Sequence, residues 1–219
     1  MKTFVFGHTS LGLPIMGYSF GPTPSQVLIL GGVHGNEIEG VTLSFGLIEK
    51  FLRSFPFQIG VTVVPAFNLD GVLAKTRVNA RGVDLNRNLP TKDWNPKAFN
   101  ERYPPGPYAN SEIENHALVD YMKTTPLRFI LSLHSFHPMI LVNGDCQKEA
   151  ELMSRFTGYE VKKDVGYPTP GSLGTYGGHD FKIPTITYEI ERGQKLDEVL
   201  KIHIPPVIEL IKYLEGKKK

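Results

Sequence analysis

The sequence predicts an α/β protein with helices on both faces of one sheet, and two observations predict it. Short apolar or β-branched runs recur along the chain, each bounded by Gly, Pro or polar residues, and stretches of helical period fall between them. Strands alternating with helices bury their apolar faces most readily as a sandwich, helix layer on sheet on helix layer. The length of 219 residues fits a single domain, 1–219. A chain of that size buries roughly 70% of its unfolded surface and needs no disulfide staples.

Four runs read as buried strands: Gln26–Leu30 (QVLIL), Ile59–Val64 (IGVTVV), Arg128–Leu133 (RFILSL) and Thr185–Ile190 (TITYEI). Met139–Val142 is a shorter fifth. Ile38–Arg53 carries Val41, Leu43, Phe45, Leu47, Ile48, Phe51 and Leu52 and reads as a helix. Glu112–Lys123 reads as a second, opened by Ser111 with Glu114 in capping-box spacing. Asp145–Phe156 and Leu196–Leu214 are two more. Ala66–Asn110 and Val161–Ile183 show no regular pattern, and irregular segments of that length inside a compact domain are usually functional or mobile.

Charge excludes some classes of partner. Lys and Arg number 24 against 22 Asp and Glu, a net +2, which gives no electrostatic case for nucleic acid or an anionic membrane. The one basic run, Lys217-Lys218-Lys219, reads as a solvated tail. No apolar run approaches the ~18 residues of a membrane span. The opening MKTFVFGHTS does not read as a signal peptide, because its apolar stretch breaks at Gly7-His8-Thr9-Ser10. The single cysteine, Cys146, has no internal disulfide partner, which fits a reducing compartment. It reads as structural, as do His8, His116, His137, His179 and His203, which lack partners at ligand spacing.

Three features carry chemistry. Gly32-Val33-His34-Gly35-Asn36-Glu37 follows the strand QVLIL directly, and ligands in open α/β sheets sit beyond the carboxyl ends of strands. His34 and Glu37 can share a zinc ion, although HxxE also arises by chance. A catalytic zinc wants three protein ligands and an open position. His134, just past another buried strand, is the third candidate. The loop Asn79–Asn88 concentrates two arginines, three asparagines and Asp84. Such a loop can be a solvated turn or a carboxylate clamp, and Asp84 is placed to orient a metal-bound histidine. Glu189 interrupts the apolar strand TITYEI; a carboxylate there is costly unless paired or working, and it can serve as a general base.

HGNE, RVNARGVDLNRN, LHS and ITYE, in this order and spacing, resemble the M14 zinc carboxypeptidases over about residues 31–191. HGNE, NARGVDLNRN, Tyr103-Pro104-Pro105-Gly106-Pro107 with Ser111-Glu112, and Thr169-Pro170-Gly171-Ser172-Leu173-Gly174 are most similar to the family's bacterial murein peptide amidase branch. The resemblance implies a three-layer α/β/α sandwich around a mixed, mostly parallel sheet and one zinc ion per chain. It further implies a small peptide substrate, with hydrolysis of the γ-D-glutamyl–diaminopimelate amide of cell-wall peptides in the cytoplasm.

Residue by residue, the resemblance implies His34, Glu37 and His134 as zinc ligands, Glu189 as the catalytic glutamate and Asp84 as the carboxylate that orients the first histidine. Asn86 and Arg87 match the pair that binds the substrate's terminal carboxylate. Arg77 matches the arginine that polarises the scissile carbonyl, with Arg81 the alternative. Tyr167 matches the lid tyrosine. The far end of diaminopimelate carries an ammonium and a carboxylate, so an acid near residues 165–180 is expected; Asp180, Asp164 and Glu191 are candidates. Digestive carboxypeptidases have arginine where this chain has Asn36 and are longer, which favours the amidase branch. The alternatives are an N-acyl amino acid deacylase of the aspartoacylase and succinylglutamate desuccinylase type, which carries a further C-terminal β domain, and a metal-free muropeptide-binding relative.

Overall fold

The computed structural model describes residues 1–98 and 100–217; Lys218 and Lys219 of the predicted tail lie outside them. One mixed eight-stranded sheet runs through the molecule. Its strands are β1 (Lys2–His8), β2 (Pro14–Phe20), β3 (Ser25–Gly31), β4 (Gly60–Val64), β5 (Phe129–Phe136), β6 (Met139–Asn143), β7 (Glu160–Lys162) and β8 (Thr185–Glu191), in the order β1-β2-β4-β3-β5-β8-β6-β7. The central strands β4, β3, β5 and β8 pair in parallel. β2 joins β4, and β6 joins β8, antiparallel.

Both faces of the central strands are covered, which is why QVLIL and RFILSL read as continuous apolar runs rather than alternating ones. Along β3, Val27 and Ile29 enter one core and Leu28 and Leu30 the other. The first core is closed by α1 (Ile38–Arg53), α4 (Gln147–Thr157) and α5 (Leu196–Gly216). The second is closed by α3 (Ile113–Thr124), through Leu118, Val119 and Met122, and by the irregular segments, through Leu85, Leu89 and Tyr176. Each fully buried Leu, Ile or Phe contributes roughly 1.5–3 kcal/mol, so these two layers fix where the central strands end.

The sequence misses some elements. The β1–β2 hairpin, turned at Gly12 with φ 81°, extends the sheet by two antiparallel strands at one edge. Inside 66–110 lie the short helix α2 (Leu69–Ala74) and a 3-10 turn at Leu85–Arg87, and inside 161–183 lie β7 and a π-helical turn, Gly174–Asp180. The expected capping box does not form: Glu112 is the N-cap, without a side-chain cap bond. Glu114 instead accepts from the Ser10 amide and hydroxyl at 2.9 Å each, because long-range donors reach it first. Helix α5 continues through Pro205 and Pro206. The carbonyls that lose their helical donors are those of Lys201 and Ile202, both exposed, where water can serve instead. Among the described residues, no helix is long and apolar enough to cross a membrane.

Candidate active site

The site sits at the carboxyl ends of β3, β5 and β8. The 32–37 loop leaves β3 and passes so close to α2 that a Cβ on Gly35 would overlap the Gly71 carbonyl, so only glycine fits. That loop brings His34 and Glu37 back over the sheet. In parallel register, His134 of β5 stands beside Glu189 of β8, and paired residues on neighbouring strands face the same side about 4.8 Å apart.

His34, Glu37 and His134 are all buried, and one ligand atom from each lies within 4.8 Å of the others. His34 Nδ1 is 2.9 Å from Glu37 Oε1, His134 Nδ1 is 2.8 Å from Glu37 Oε2, and the two Nδ1 atoms are 3.1 Å apart. His34 Nε2 lies 3.0 Å from Asp84 Oδ1. Burial alone would raise Asp84, but His34 and Arg77 outweigh it and hold its carboxyl well below the ordinary range. An ionised Asp84 only accepts, so Nε2 carries the ring hydrogen and Nδ1 presents a lone pair. Glu37 is also ionised: burial opposes it, yet the imidazoles of His34 and His134 pull its carboxyl well below the usual range. The Nδ1 lone pair of His34 and the ionised Glu37 carboxylate therefore meet His134 Nδ1 around one point, and a cation fits there. Two imidazole nitrogens and a carboxylate, with a cavity on the remaining side, match the donor set of a catalytic zinc.

Arg77 braces this cluster. Its Nε donates to Asp84 Oδ2 at 2.8 Å and its Nη1 to Glu37 Oε1 at 3.3 Å, while Nη2 donates to no described residue. Glu189 is 8% exposed, and its buried Oε2 has no hydrogen-bond partner among the described residues. Burial first, and the charge of Glu37, push its carboxyl up to about 7, against the pull of His134, Arg77 and Arg87. Tyr188, on the opposite face of β8, bonds His203 Nδ1 at 2.7 Å inside the first core.

A cavity of about 510 Å³ opens over these groups. Asn86 and Arg87 line it, on the turn at Leu85–Arg87. Asn86 Oδ1 accepts from the Leu173 amide at 2.8 Å, which leaves its Nδ2 as a donor, and Arg87 Nη1 donates to the Asn86 carbonyl at 2.6 Å. The segment 171–174 packs tightly here: Gly171 has φ 71°, and a Cβ on it would strike the Arg87 carbonyl. The ring of Tyr103 lies 4.7 Å from the Arg77 guanidinium and 5.1 Å from that of Arg87. Tyr167 stacks on Tyr103 at 5.8 Å and 8°. Burial, and then the hydrogen bond with Tyr103, push the Tyr167 phenol up to about 12.

Three expectations are corrected. Arg81 does not reach the cavity; its Nε pairs with the buried Glu112 at 3.2 Å, and its side chain is exposed. Asp180 also lies outside, accepting from the Lys92 amide at 3.2 Å, because the π-helical turn directs it away while His179 lines the wall. Glu191, the last residue of β8, is exposed and does not line the cavity. Of the expected acids only Asp164 does. Tyr103, Asn143, Thr187 and Arg192, to which no motif in the sequence assigns a role, also line the cavity. The available signal for Tyr103 is its place at the head of Tyr103-Pro104-Pro105-Gly106-Pro107, an aromatic between Arg102 and Pro104.

Fold and site together point to a hydrolase of the carboxypeptidase type. The chain matches the zinc carboxypeptidase family model, M14, over residues 1–195; it belongs to that family and is a peptide hydrolase. It is 28% identical over 229 residues to murein peptide amidase A of Vibrio campbellii, covering 96% of this chain and 89% of that protein. It is 31% identical over 203 residues to murein peptide amidase A of Escherichia coli K12, covering 84% of this chain and 79% of the relative. The murein-tripeptide amidase MpaA of Escherichia coli O157 superposes with a TM-score of 0.80 at 26% identity, covering 100% of this chain and 94% of that one. Bovine thrombin-activatable fibrinolysis inhibitor, solved with tick carboxypeptidase inhibitor, superposes at 0.82 with 17% identity over 97% of this chain and 90% of its own, a likeness of fold alone.

Proposed function

We infer that this chain is a zinc-dependent murein peptide amidase that cleaves the γ-D-glutamyl–meso-diaminopimelate amide bond, with residues 1–219 acting as one catalytic domain. The observation that carries the reading is the convergence of His34 Nδ1, His134 Nδ1 and the Glu37 carboxylate beside the partnerless Glu189 oxygen, in a cavity whose wall holds the Asn86–Arg87 pair. The similarity to murein peptide amidases supports the substrate class.

His34, Glu37 and His134 would hold one zinc ion, which supplies Lewis acidity and eases deprotonation of the attacking water. Glu189 takes that proton and returns it to the leaving amine. A carboxyl raised by burial is matched to both tasks near neutral pH. Asp84 keeps the hydrogen of His34 on Nε2. Arg77 turns its remaining Nη2 to the oxygen of the scissile carbonyl. Asn86 Nδ2 and the Arg87 guanidinium grip the α-carboxylate of the departing diaminopimelate and so set the amide beside Glu189. Tyr167, stacked on Tyr103, closes over the substrate. A cytoplasmic setting belongs to the same proposal, and cell fractionation checks it.

The test offers the zinc-loaded protein three substrates: L-Ala-γ-D-Glu-meso-diaminopimelate, an ordinary C-terminal dipeptide and an N-acyl amino acid. Release of free diaminopimelate, with the other two turned over poorly, is expected. Preferential cleavage of the N-acyl amino acid or the dipeptide would refute the amidase reading.

A further inference from the structure

Arg192 stands at the outer end of the cavity. Along β8 and the turn after it, Thr187, Glu189 and Arg192 all line the wall. At about 3.3 Å per residue, Thr187 lies inward of the catalytic carboxylate and Arg192 outward of it. The inward side is also where Leu173 meets Asn86 and where Gly174 abuts Asn143, so it houses the leaving residue. Arg192 therefore faces the other half of the substrate, the acyl half.

This guanidinium is presented from a pinned turn. The Arg192 amide donates to the Phe136 carbonyl at 3.0 Å. The following amide, Gly193, donates to the buried Glu39 carboxylate at 2.6 Å. Arg192 Nη2 donates to the Asn36 carbonyl at 2.8 Å, in the loop that carries Glu37. Nε and Nη1 have no partner among the described residues, and no carboxylate there pairs with Arg192. An exposed arginine held by one hydrogen bond, with open donors and no counter-ion among the described residues, lining a catalytic cavity, is suited to an anion. Arg102 and Lys163 also line the cavity, but on the loops that carry Tyr103 and Tyr167 rather than beside the reaction centre.

We propose that Arg192 is a specificity-determining residue that binds a free carboxylate on the acyl side of the scissile amide. This rests on the amidase reading, because a γ-linked glutamyl residue carries its α-carboxylate three carbons from the scissile carbonyl. An ordinary α-peptide has a charge at that distance only where its acyl residue is itself glutamate. The carboxylate contact selects an acidic acyl residue such as γ-linked glutamate, while Asn86 and Arg87 select the leaving residue.

The experiment measures kcat/KM of zinc-loaded wild type, Arg192→Gln and Arg192→Lys on the murein tripeptide and on the analogue with its glutamyl α-carboxylate converted to a carboxamide. The wild type is expected to favour the carboxylate form by about 10- to 100-fold, mostly through KM. Arg192→Gln should lose that preference by slowing only on the carboxylate form, and Arg192→Lys should recover part of it. Equal wild-type rates on both substrates, or an equal loss on both with Arg192→Gln, would overturn the proposal while diaminopimelate release kept the amidase reading intact. If the wild type releases diaminopimelate from neither substrate, the amidase reading itself fails and the Arg192 assignment falls with it.

Discussion

His34, Glu37, His134 and Glu189 hang from the ends of β3, β5 and β8, or from the tight turn after β3, whereas Arg77, Asn86, Arg87, Tyr103 and Tyr167 hang from two long loops. The first group is positioned by the sheet. Both faces of β3 and β5 are buried, and a slip of one residue would send each inward side chain to the wrong face, so register is strongly fixed. The second group is positioned by contacts the loops make with each other. Asn88 Nδ2 donates to the carbonyls of Pro105 and Tyr108 at 2.8 and 2.9 Å, and Gly171 sits against the Arg87 carbonyl. The metal-type ligands and the general base are thus held on the rigid part of the molecule, and Arg77 with the readers of the leaving residue on loops that can be rebuilt around it.

Mutations should separate the two halves. The largest effect is expected at the strand end: Glu189→Gln should lower kcat by roughly 10²–10⁴-fold, since the amide cannot accept the proton. Zinc content and melting temperature should stay near wild type, which metal analysis and thermal unfolding check. On the loop side, Arg87→Ala should lower kcat/KM for the free-carboxylate tripeptide by about 10- to 100-fold. A substrate whose terminal carboxylate is a carboxamide should lose little more with Arg87→Ala than without it, the coupling expected of direct contact. Equal losses on both substrates would make Arg87 a support of its loop.

Tyr103 tests the loop half from within. Its ring lies against two like-charged guanidiniums, and each such contact contributes about 0.5–2 kcal/mol. Tyr103→Ala should reduce kcat/KM by about tenfold, mainly through KM, and Tyr103→Phe should recover most of it. Loss of zinc in Tyr103→Ala would show that the two halves are not independent.

The smallest effect lies in the core behind the strand ends. Burial holds His203 at a pKa of about 4, where it bonds the Tyr188 hydroxyl and Gln194. In the unfolded chain it titrates near 6.5. As pH falls from about 6.5 to about 4 the unfolded state takes the proton first, so stability falls across that window and is flat above it. Between pH 7.5 and 5.5 the chelator-treated wild type should lose about 1 kcal/mol more than His203→Gln in urea titrations.

The strand ends were legible because short β-branched runs followed at once by HGNE or LHS leave little freedom about where the next side chain points. The central strands lie within a residue of their expected limits, except that β5 runs three residues further, to Phe136, and so includes His134. The loop wall was not legible in the same way. Arg81 and Arg77 are four residues apart in one polar loop, and only the burial of Glu112, which draws Arg81 away, decides between them. Asp180 looked available until the π-helical turn aimed it at Lys92. Glu114 was spaced for a cap, yet Ser10, far off in sequence, supplies its donors. The β1–β2 hairpin had a signal in two runs flanking Gly12, but Phe4–Phe6 is only three residues long and β2 is interrupted by Gly17 and Ser19, so neither run stands out as a strand.

The central claim is that three side chains at the ends of β3 and β5 make a zinc centre. Metal analysis of wild type and His134→Ala after dialysis against a weak chelator tests it most directly. One zinc per chain is predicted in the active wild type and close to none in His134→Ala, with the fold retained by circular dichroism. A wild type that hydrolyses its substrate with near-zero zinc would contradict it.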